Sequence, residues 1–321
     1  MTDRPVVTAE LHVVFGAGQV GTMLAQRLLS SGTPVRIARR AAGAPQGAEL
    51  MQGDAADPEF CMRATAGAST VYHCMNPPYD SKVWAALLPR FMDNLIAAAS
   101  RAGARLVVLD NLYMLGRPGG RPMTEDTPSN PVSRKGEIRA KCADRLFEAH
   151  RRGDIRAVSG RASDYYGPGG IQTHLGERFW RPALGGKTAR MLIDPDAIHS
   201  YHYIPDVVSG LATLGTATDD VTGQAWMLPC APAGTLRELV HGFAEASGRP
   251  IRVAGIPRLF VKALALFNPL VREVDEMLYQ WEEPFIVDDR RFRERFGVSP
   301  VPADEAAVET VRWATSIYAS R

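Results

Sequence analysis

Residues 11–32, LHVVFGAGQVGTMLAQRLLSSG, open as an apolar run of β type, turn on glycines, continue with apolar residues at helical spacing and stop at Gly32. PVRIARR (34–40) gives a second short strand, AELMQGDAAD (48–57) a third that ends at Asp54, and STVYHCMNPP (69–78) a fourth. LPRFMDNLIAAASRAGA (88–104) carries the period of a long amphipathic helix. RLVVLDNLYMLG (105–116) predicts a fifth strand, and its near-continuous apolar start suits a strand buried on both faces. The helix containing RAKCADRLFEAHRRG (139–153) then leads into a sixth, IRAVSGRASDYYG (155–167). Strands alternating with helices at this spacing mean an α/β fold on a parallel, doubly wound sheet.

Past residue 166 the alternation gives way to Gly, Pro and aromatic segments, among them YGPGG (166–170) and DPDAIHSYHYIPD (194–206). IPDVVSGLATLG (204–215) restarts a helix with Asp206 as its expected N-cap, and GQAWMLPC (223–230) reads as another strand. From TLRELVHGFAEASG (235–248) onward the pattern is mostly helical and less regular. We therefore expect a sheet domain over 1–165, completed by about 200–232, and a mainly substrate-binding lobe over 166–321 interleaved with it.

Hydrophobic and charged fractions of 45% and 22% exclude a disordered or fibrous chain. The 37 Lys and Arg are interleaved with 35 Asp and Glu, so no basic footprint for nucleic acid forms and a small-molecule partner is expected. Cys61, Cys74, Cys142 and Cys230 lack CxxC spacing and read as free thiols of a reducing compartment. The start MTDRPVVTAE has no signal-like apolar segment, and no apolar run approaches the roughly 20 residues that span a bilayer. A cytoplasmic protein without a membrane partner is expected. No metal is proposed, because no His, Cys or carboxylate cluster has zinc-like spacing.

Gly16, Gly18 and Gly21 form a GxGxxG between strand and helix, where a dinucleotide is held. Gly16 permits the tight turn, Gly18 lets backbone approach a pyrophosphate, and Gly21 allows helix to pack on strand. Gln19 and Val20 complete the loop, whose helix start offers free N–H groups to phosphate. The second strand ends in Arg39 and Arg40 where NAD-preferring versions carry an acid, so NADP(H) is favoured over NAD(H). Asp54 stands where it could bond the adenine amino group.

With the glycine loop, Asp54, NPVSRKGEIR (130–139), GRASDYYGPGG (160–170), YHYIPDVV (201–208) and FGVSP (296–300) assembled, the chain resembles the extended short-chain dehydrogenase/reductase superfamily, the NAD(P)-dependent epimerase/dehydratase group. Phe15 falls where extended members usually carry their first glycine, a spacing seen in atypical members. The resemblance implies a Rossmann core, a nicotinamide cofactor and a C-terminal substrate lobe. It also implies catalysis by a strand-end Ser or Thr and a Tyr-x-x-x-Lys on the next helix. Aligned on its Asn-Pro and glycine, NPVSRKGEIR puts Lys135 at the tyrosine and Arg139 at the lysine. Asn111 takes the serine position, and Tyr113 stands where dehydratase members carry a catalytic carboxylate.

Arg139 can donate to ribose hydroxyls, while Lys135, flanked by Arg134 and Arg139, is expected to have its charged form disfavoured and to relay a proton. Strand alternation would set Asn111 and Tyr113 on one side, with the Tyr113 phenol lowered by nearby cations and acting as substitute proton donor. On the substrate side the candidates are Asp164, Tyr165 and Tyr166, then His199 and Tyr201 in a cluster with His202 and Tyr203. Arg178, Arg181, Lys187 and Arg190 could meet a diphosphate, although the aromatic, Met-rich character leans to a less polar substrate. The stretch 257–285 should be mostly packing, with room for an apolar pocket wall or a homodimer surface. The leading expectation is an NADP(H)-dependent oxidoreductase acting on a carbonyl or activated alkene. A redox-neutral isomerase, dehydratase or cyclase, and a non-catalytic NADP(H) sensor, stay open beside it.

Overall fold

The computed structural model describes residues 10–319. The first half runs β1 (Leu11–Phe15), α1 (Gly21–Ser30), β2 (Val35–Arg39), β3 (Glu49–Gln52), α2 (Pro58–Thr65), β4 (Ala68–His73), α3 (Ser81–Ala102), β5 (Arg105–Asp110), α4 (Arg134–Arg151) and β6 (Arg156–Arg161). There follow β7 (Asp164–Tyr166), α5 (Glu177–Leu184), β8 (Ala189–Met191), β9 (Ile198–His199), β10 (Tyr201–Tyr203), α6 (Ile204–Thr216) and β11 (Ala225–Met227). The chain ends with β12 (Gly234–Thr235), α7 (Leu236–Ser247), β13 (Val253–Gly255), α8 (Arg258–Phe267), α9 (Pro269–Asp275), α10 (Arg290–Phe296) and α11 (Ala303–Tyr318).

The central sheet has seven strands in the order β11-β6-β5-β4-β1-β2-β3, all paired in parallel. It is the α/β, Rossmann-type doubly wound sheet that the alternation implies. The chain winds outward from β1 to β3, then crosses over and winds the other way from β4. The direction reverses between β1 and β4, and ligands of such sheets bind outside the carboxyl ends of the strands at that point. Val13, Val14 and Phe15 are fully buried because helices cover both faces. One core gathers residues of α2, α3 and α4, including Trp84, Leu88 and Leu146; the other gathers those of α1 and α6. Each buried Leu or Phe contributes roughly 1.5–3 kcal/mol.

The helices that frame the site are fixed at their starts by short polar side chains. Asp80 caps α3 by accepting from the Lys82 and Val83 N–H groups, and Ser133 caps α4 by accepting from Gly136 N–H at 3.0 Å. α6 approaches β4 so closely that a Cβ on Gly215 would lie 1.8 Å from the Tyr72 hydroxyl. A further core, with Phe179, Trp180, Tyr203 and Phe243, ties α5, α7 and α11 together beyond the sheet.

Four expectations change. β5 ends at Asp110 and the chain turns into a short 3-10 helix, Tyr113–Leu115, because Asn111 Oδ1 accepts from Tyr113 N–H at 3.1 Å. The sixth strand stops at Arg161, and Asp164–Tyr166 pairs instead with β10. Asp206 lies inside the first turn of α6, whose N-cap is Tyr203; its carboxylate accepts from Val301 N–H at 3.1 Å and so holds the C-terminal segment. In the stretch expected to be mostly packing, α8 turns Leu259, Phe260, Leu266 and Phe267 outward at 77, 62, 70 and 88% exposure, while Leu278, Tyr279 and Trp281 are buried.

Candidate active site

The glycine loop lies where β1 and β4 part. Gly16 has φ +93, and a Cβ there would meet Met75 N at 2.8 Å; one on Gly21 would meet Gly16 O at 2.0 Å. A Cβ on Gly18 meets nothing within 4 Å, so Gly18 fronts open space and a larger residue would project into it. No side chain caps α1, whose N-cap is Val20, which leaves its positive end to an anion. The residues present therefore fit a dinucleotide pyrophosphate. Gln19 sits under the loop after β7: its Oε1 accepts from Gln172 N–H at 3.3 Å.

At the end of β2, Arg39 Nη1 donates to Gly43 O at 3.3 Å, and Arg40 follows in the exposed bend. Asp54 is also exposed, and its Oδ1 accepts from Ala56 N–H at 2.9 Å. Arg39 thus stands at the carboxyl end of β2, and Asp54 two residues past the end of the neighbouring strand β3.

The start of α4 turns its two cations inward. Lys135 is 0% exposed. Its ammonium donates to Glu273 and, at 2.9 Å, to Glu276 Oε2, and lies 4.7 Å from the centre of the Tyr79 ring. Glu273 is held as well by Ser81, N–H at 2.9 Å and hydroxyl at 3.1 Å. Burial alone would raise the Glu273 carboxyl, but Lys135 and Ser81 outweigh it and hold it below the ordinary carboxylate range. The ammonium of Lys135 is thus turned onto two carboxylates from the lobe, and not left to the expected neighbours Arg134 and Arg139. Arg139 donates to Asn76 Oδ1 at 2.8 Å and to Asp110 Oδ1 at 3.2 Å, with its guanidinium 4.9 Å above the Trp84 ring. Its Nε is buried with no partner.

Tyr113 stacks on Trp84, ring centres 6.2 Å apart and planes within 10°, and its hydroxyl faces that of Tyr79 at 3.5 Å. Burial raises the Tyr113 phenol well above its ordinary value, and Tyr79 and Asp164 push it further. The expected lowering by cations does not occur, because Lys135 and Arg139 are each turned onto carboxylates. Asn111 spends its amide oxygen on the Tyr113 backbone.

Across the crevice, Asp164 stands between two histidines: His199 Nε2 at 2.9 Å from one carboxylate oxygen, His174 Nε2 at 3.6 Å from the other. Burial would raise Asp164, yet its His199 hydrogen bond and the surrounding histidines keep it below the ordinary range. Burial lowers His174, with Asp164 partly offsetting it, so its imidazole is neutral at neutral pH. His199 is fully buried, layered between Trp281 (4.6 Å, 8°) and Phe285 (5.2 Å, 13°), and acts on the site through Asp164. Tyr165 is half-buried beside this group, whereas Tyr166 packs on Tyr203 and Phe243 in the lobe core. Tyr201 is buried too, its hydroxyl accepting from Trp281 Nε1 at 3.3 Å. His202 is locked as a neutral ring: Nδ1 accepts from Ser163 N–H at 3.0 Å, Nε2 faces Leu228 O at 3.2 Å, and burial lowers it to about 4.

Sequence reasoning missed Tyr79, Trp84, Asn76, His174, Glu273, Glu276 and Trp281. Only Asn76 and Tyr79 carried a local signal, as the Asn of the Asn-Pro-Pro that follows the fourth strand and the residue just past it. Arg178, Lys187 and Arg190 are exposed on the lobe, and Arg181 is paired with Glu177 at 2.5 Å.

The family model for the NAD dependent epimerase/dehydratase family matches residues 12–228. A dTDP-6-deoxy-L-talose 4-dehydrogenase (NAD(P)(+)) of Kitasatospora kifunensis is 26% identical over 275 residues, 80% of this chain and 85% of the relative. A UDP-glucose 4-epimerase of Streptomyces lividans is 26% identical over 211 residues, 61% of this chain and 58% of the relative. Among solved structures, a UDP-glucuronic acid 4-epimerase from Bacillus cereus in complex with UDP-glucuronic acid and NAD superposes with a TM-score of 0.79 at 15% identity, over 96% of this chain and 100% of that one. That superposition shows the shared fold, and the match of the family model over the sheet, the glycine loop and the altered catalytic helix carries the kinship: the chain belongs to the NAD dependent epimerase/dehydratase family.

Proposed function

We propose that this oxidoreductase or epimerase/dehydratase-like enzyme is an NADP(H)-dependent reductase of a carbonyl or activated alkene in a small molecule, with Tyr113 as proton donor. The observation that carries the reading is half-buried Tyr113, just past the carboxyl end of β5, with its hydroxyl facing that of Tyr79 at 3.5 Å. Gly16, Gly18, Gln19, Val20 and Gly21 would hold the pyrophosphate, Arg39 and Arg40 the 2′-phosphate, Asp54 the adenine, and Arg139 a ribose oxygen. The nicotinamide, when bound, gives or takes hydride. Tyr113 gives its hydroxyl proton to the substrate oxygen as that oxygen gains charge, and Tyr79, whose hydroxyl faces it, passes a proton back to Tyr113 and regains one from solvent. A phenol held protonated by burial suits this direction better than the reverse. Asp164, oriented by His199, accepts a hydrogen bond from a substrate hydroxyl. Residues 166–321 form most of the substrate side, with 200–232 completing the sheet domain.

One observation favours a redox-neutral dehydratase or isomerase as second reading: Asp164 and neutral His174 stand together as candidate bases opposite a phenol that burial keeps protonated. The experiment is Tyr113→Phe with a panel of ketones, aldehydes and enones, followed by loss of NADPH absorbance. A fall of about 10²–10⁴-fold in turnover with unchanged NADPH affinity is expected. Undiminished turnover removes Tyr113 from the mechanism, and turnover without net NADPH consumption selects the redox-neutral reading.

A further inference from the structure

α8 is apolar on the side it shows to water. Val261 and Ala265 turn inward and are buried, and the opposite face, from Leu259 through Ala263 to Phe267, carries no charged side chain. A helix that is apolar all round is one that other surfaces cover on every side, yet Leu259, Phe260, Leu266 and Phe267 are largely exposed. At about 200 Å² for a large apolar side chain, their exposed parts and those of Leu264 and Leu270 come to on the order of 700 Å². The largest apolar patch of a monomer is about 300–600 Å², and a stable interface takes about 800 Å² from each partner. The platform is firm. Arg272 Nε and Nη2 donate to Ala265 O and Leu266 O at 3.1 and 3.2 Å, which holds the last carbonyls of α8, and Asn268 Oδ1 caps α9 by accepting from Val271 N–H at 3.2 Å.

The order of residues on that face fits a second copy of itself. Leu259-Phe260 and Leu266-Phe267 stand at equal distances on either side of Ala263. Two copies of α8 laid antiparallel about a two-fold axis at Ala263 therefore set the Leu-Phe pair of each against a Leu-Phe pair of the other, with only methyl groups at the centre to hold the helices apart. A lipid surface would ask for a cluster of cations around the apolar face. α8 has two, Arg258 spent on Asp275 and Lys262 acting on Glu282.

We propose that the protein is a homodimer in which α8 packs antiparallel on α8 of a second copy across a two-fold axis at Ala263. The pairing is independent of the reaction at Tyr113. With helix axes about 8–10 Å apart and Cα atoms about 2.3 Å from each axis, the two Ala263 Cα atoms come within about 3.5–5.5 Å, in reach of a disulfide. Lys262, one residue round the helix, stays about 9 Å from its copy and out of that reach.

The test measures the mass of the full chain in solution by light scattering up to about 100 µM, beside Phe260→Glu/Phe267→Glu, two changes at exposed positions. The unaltered protein should have the mass of two chains. Four carboxylates in the paired face should weaken it about 100-fold or more and leave a monomer that circular dichroism shows to be folded. Ala263→Cys should be trapped as a covalent dimer by mild oxidation and Lys262→Cys should not; Cys61, Cys142 and Cys230 are buried and do not compete. Because Ala263→Cys leaves every large side chain in place, it decides even where the glutamate variant fails to fold. An unaltered protein that stays monomeric at about 100 µM, a dimer that survives the two glutamates, or equal trapping of the two cysteine variants overturns the proposal. So does co-sedimentation of the monomer with vesicles of phosphatidylcholine and phosphatidylglycerol, which would make lipid the occupant.

Discussion

Lys135→Met separates a structural cation from a catalytic one. Methionine keeps the length of the stem and removes the ammonium, so Glu273 and Glu276, at 18 and 22% side-chain exposure, are left facing each other without a counter-charge. Breaking a buried pair costs about 3–5 kcal/mol. Because both carboxylates keep some access to water, and Glu273 keeps its two bonds from Ser81, the lower end applies, about 3 kcal/mol. At roughly 2.1 cal/mol/K of unfolding entropy per residue, that is a fall of about 4–5 °C in Tm for a chain of 321 residues. Lys135→Met/Glu273→Gln/Glu276→Gln should recover most of the loss, since an ion cluster replaced as a whole is often neutral to stability. The assay is urea unfolding by circular dichroism over a pH series. Glu273 is held below its ordinary value when folded, so its contribution is present above that value and lost as pH falls through the lowered one. The triple variant should lack this acid limb. A loss under about 1 kcal/mol for the single variant, or a triple variant as unstable as the single, refutes the structural role. Turnover abolished in a triple variant that is stable and binds NADPH would restore Lys135 to the chemistry.

Arg39→Ala should weaken NADPH about 10–100-fold while changing NADH less than about threefold, measured by cofactor fluorescence titration; equal losses for both would remove the 2′-phosphate assignment. Asp206, raised by burial to about 6, binds its proton more tightly folded than unfolded, so its contribution is present below the ordinary value and lost as pH rises through about 6. Asp206→Asn should therefore flatten a decline in urea midpoint between about pH 4 and 6, worth about 1 kcal/mol after solvent screening; an unaltered slope speaks against it. Gly215→Ala, whose methyl would fall 1.8 Å from a buried hydroxyl already paired with His12 Nδ1 at 3.1 Å, should cost about 1–3 kcal/mol in thermal unfolding, and an unchanged Tm would contradict that packing.

What could be read in advance follows sequence distance. β1, the glycine turn and α1 are contiguous, and Gly16 and Gly21 have local steric reasons, so the strand-turn-helix unit was legible from twenty residues or so. The partners of Lys135 stand 138 and 141 residues away, in a stretch whose only local signal is helical period, and nothing near Lys135 hints at them. The strand reading failed at Asn111 for a local reason that periodicity ignores: a short amide side chain captured the Tyr113 backbone and ended the strand. His174 lies in a turn-rich segment without motif, and only the folding of β7 beside β10 brings Asp164 between it and His199.

The inward turn of the two cations has a consequence for the reaction. In the family pattern a lysine lowers the catalytic tyrosine so that the phenol can exchange protons in either direction. Here Lys135 faces two carboxylates, and the field at Tyr79 from Glu273, Glu276 and Asp164 is one that raises its phenol. Tyr113 feels Asp164 in the same sense. The neighbourhood of the missing tyrosine is thus net negative toward phenols, and both stay protonated through neutral pH. A protonated phenol can give a proton to an oxygen that is becoming an alkoxide but cannot take one from an alcohol. On the proposed reading, replacement of Tyr and Lys by Lys135 and Arg139 would therefore suit the site to proton donation in a reduction, and any abstraction of a proton would fall to Asp164 and His174 on the other wall.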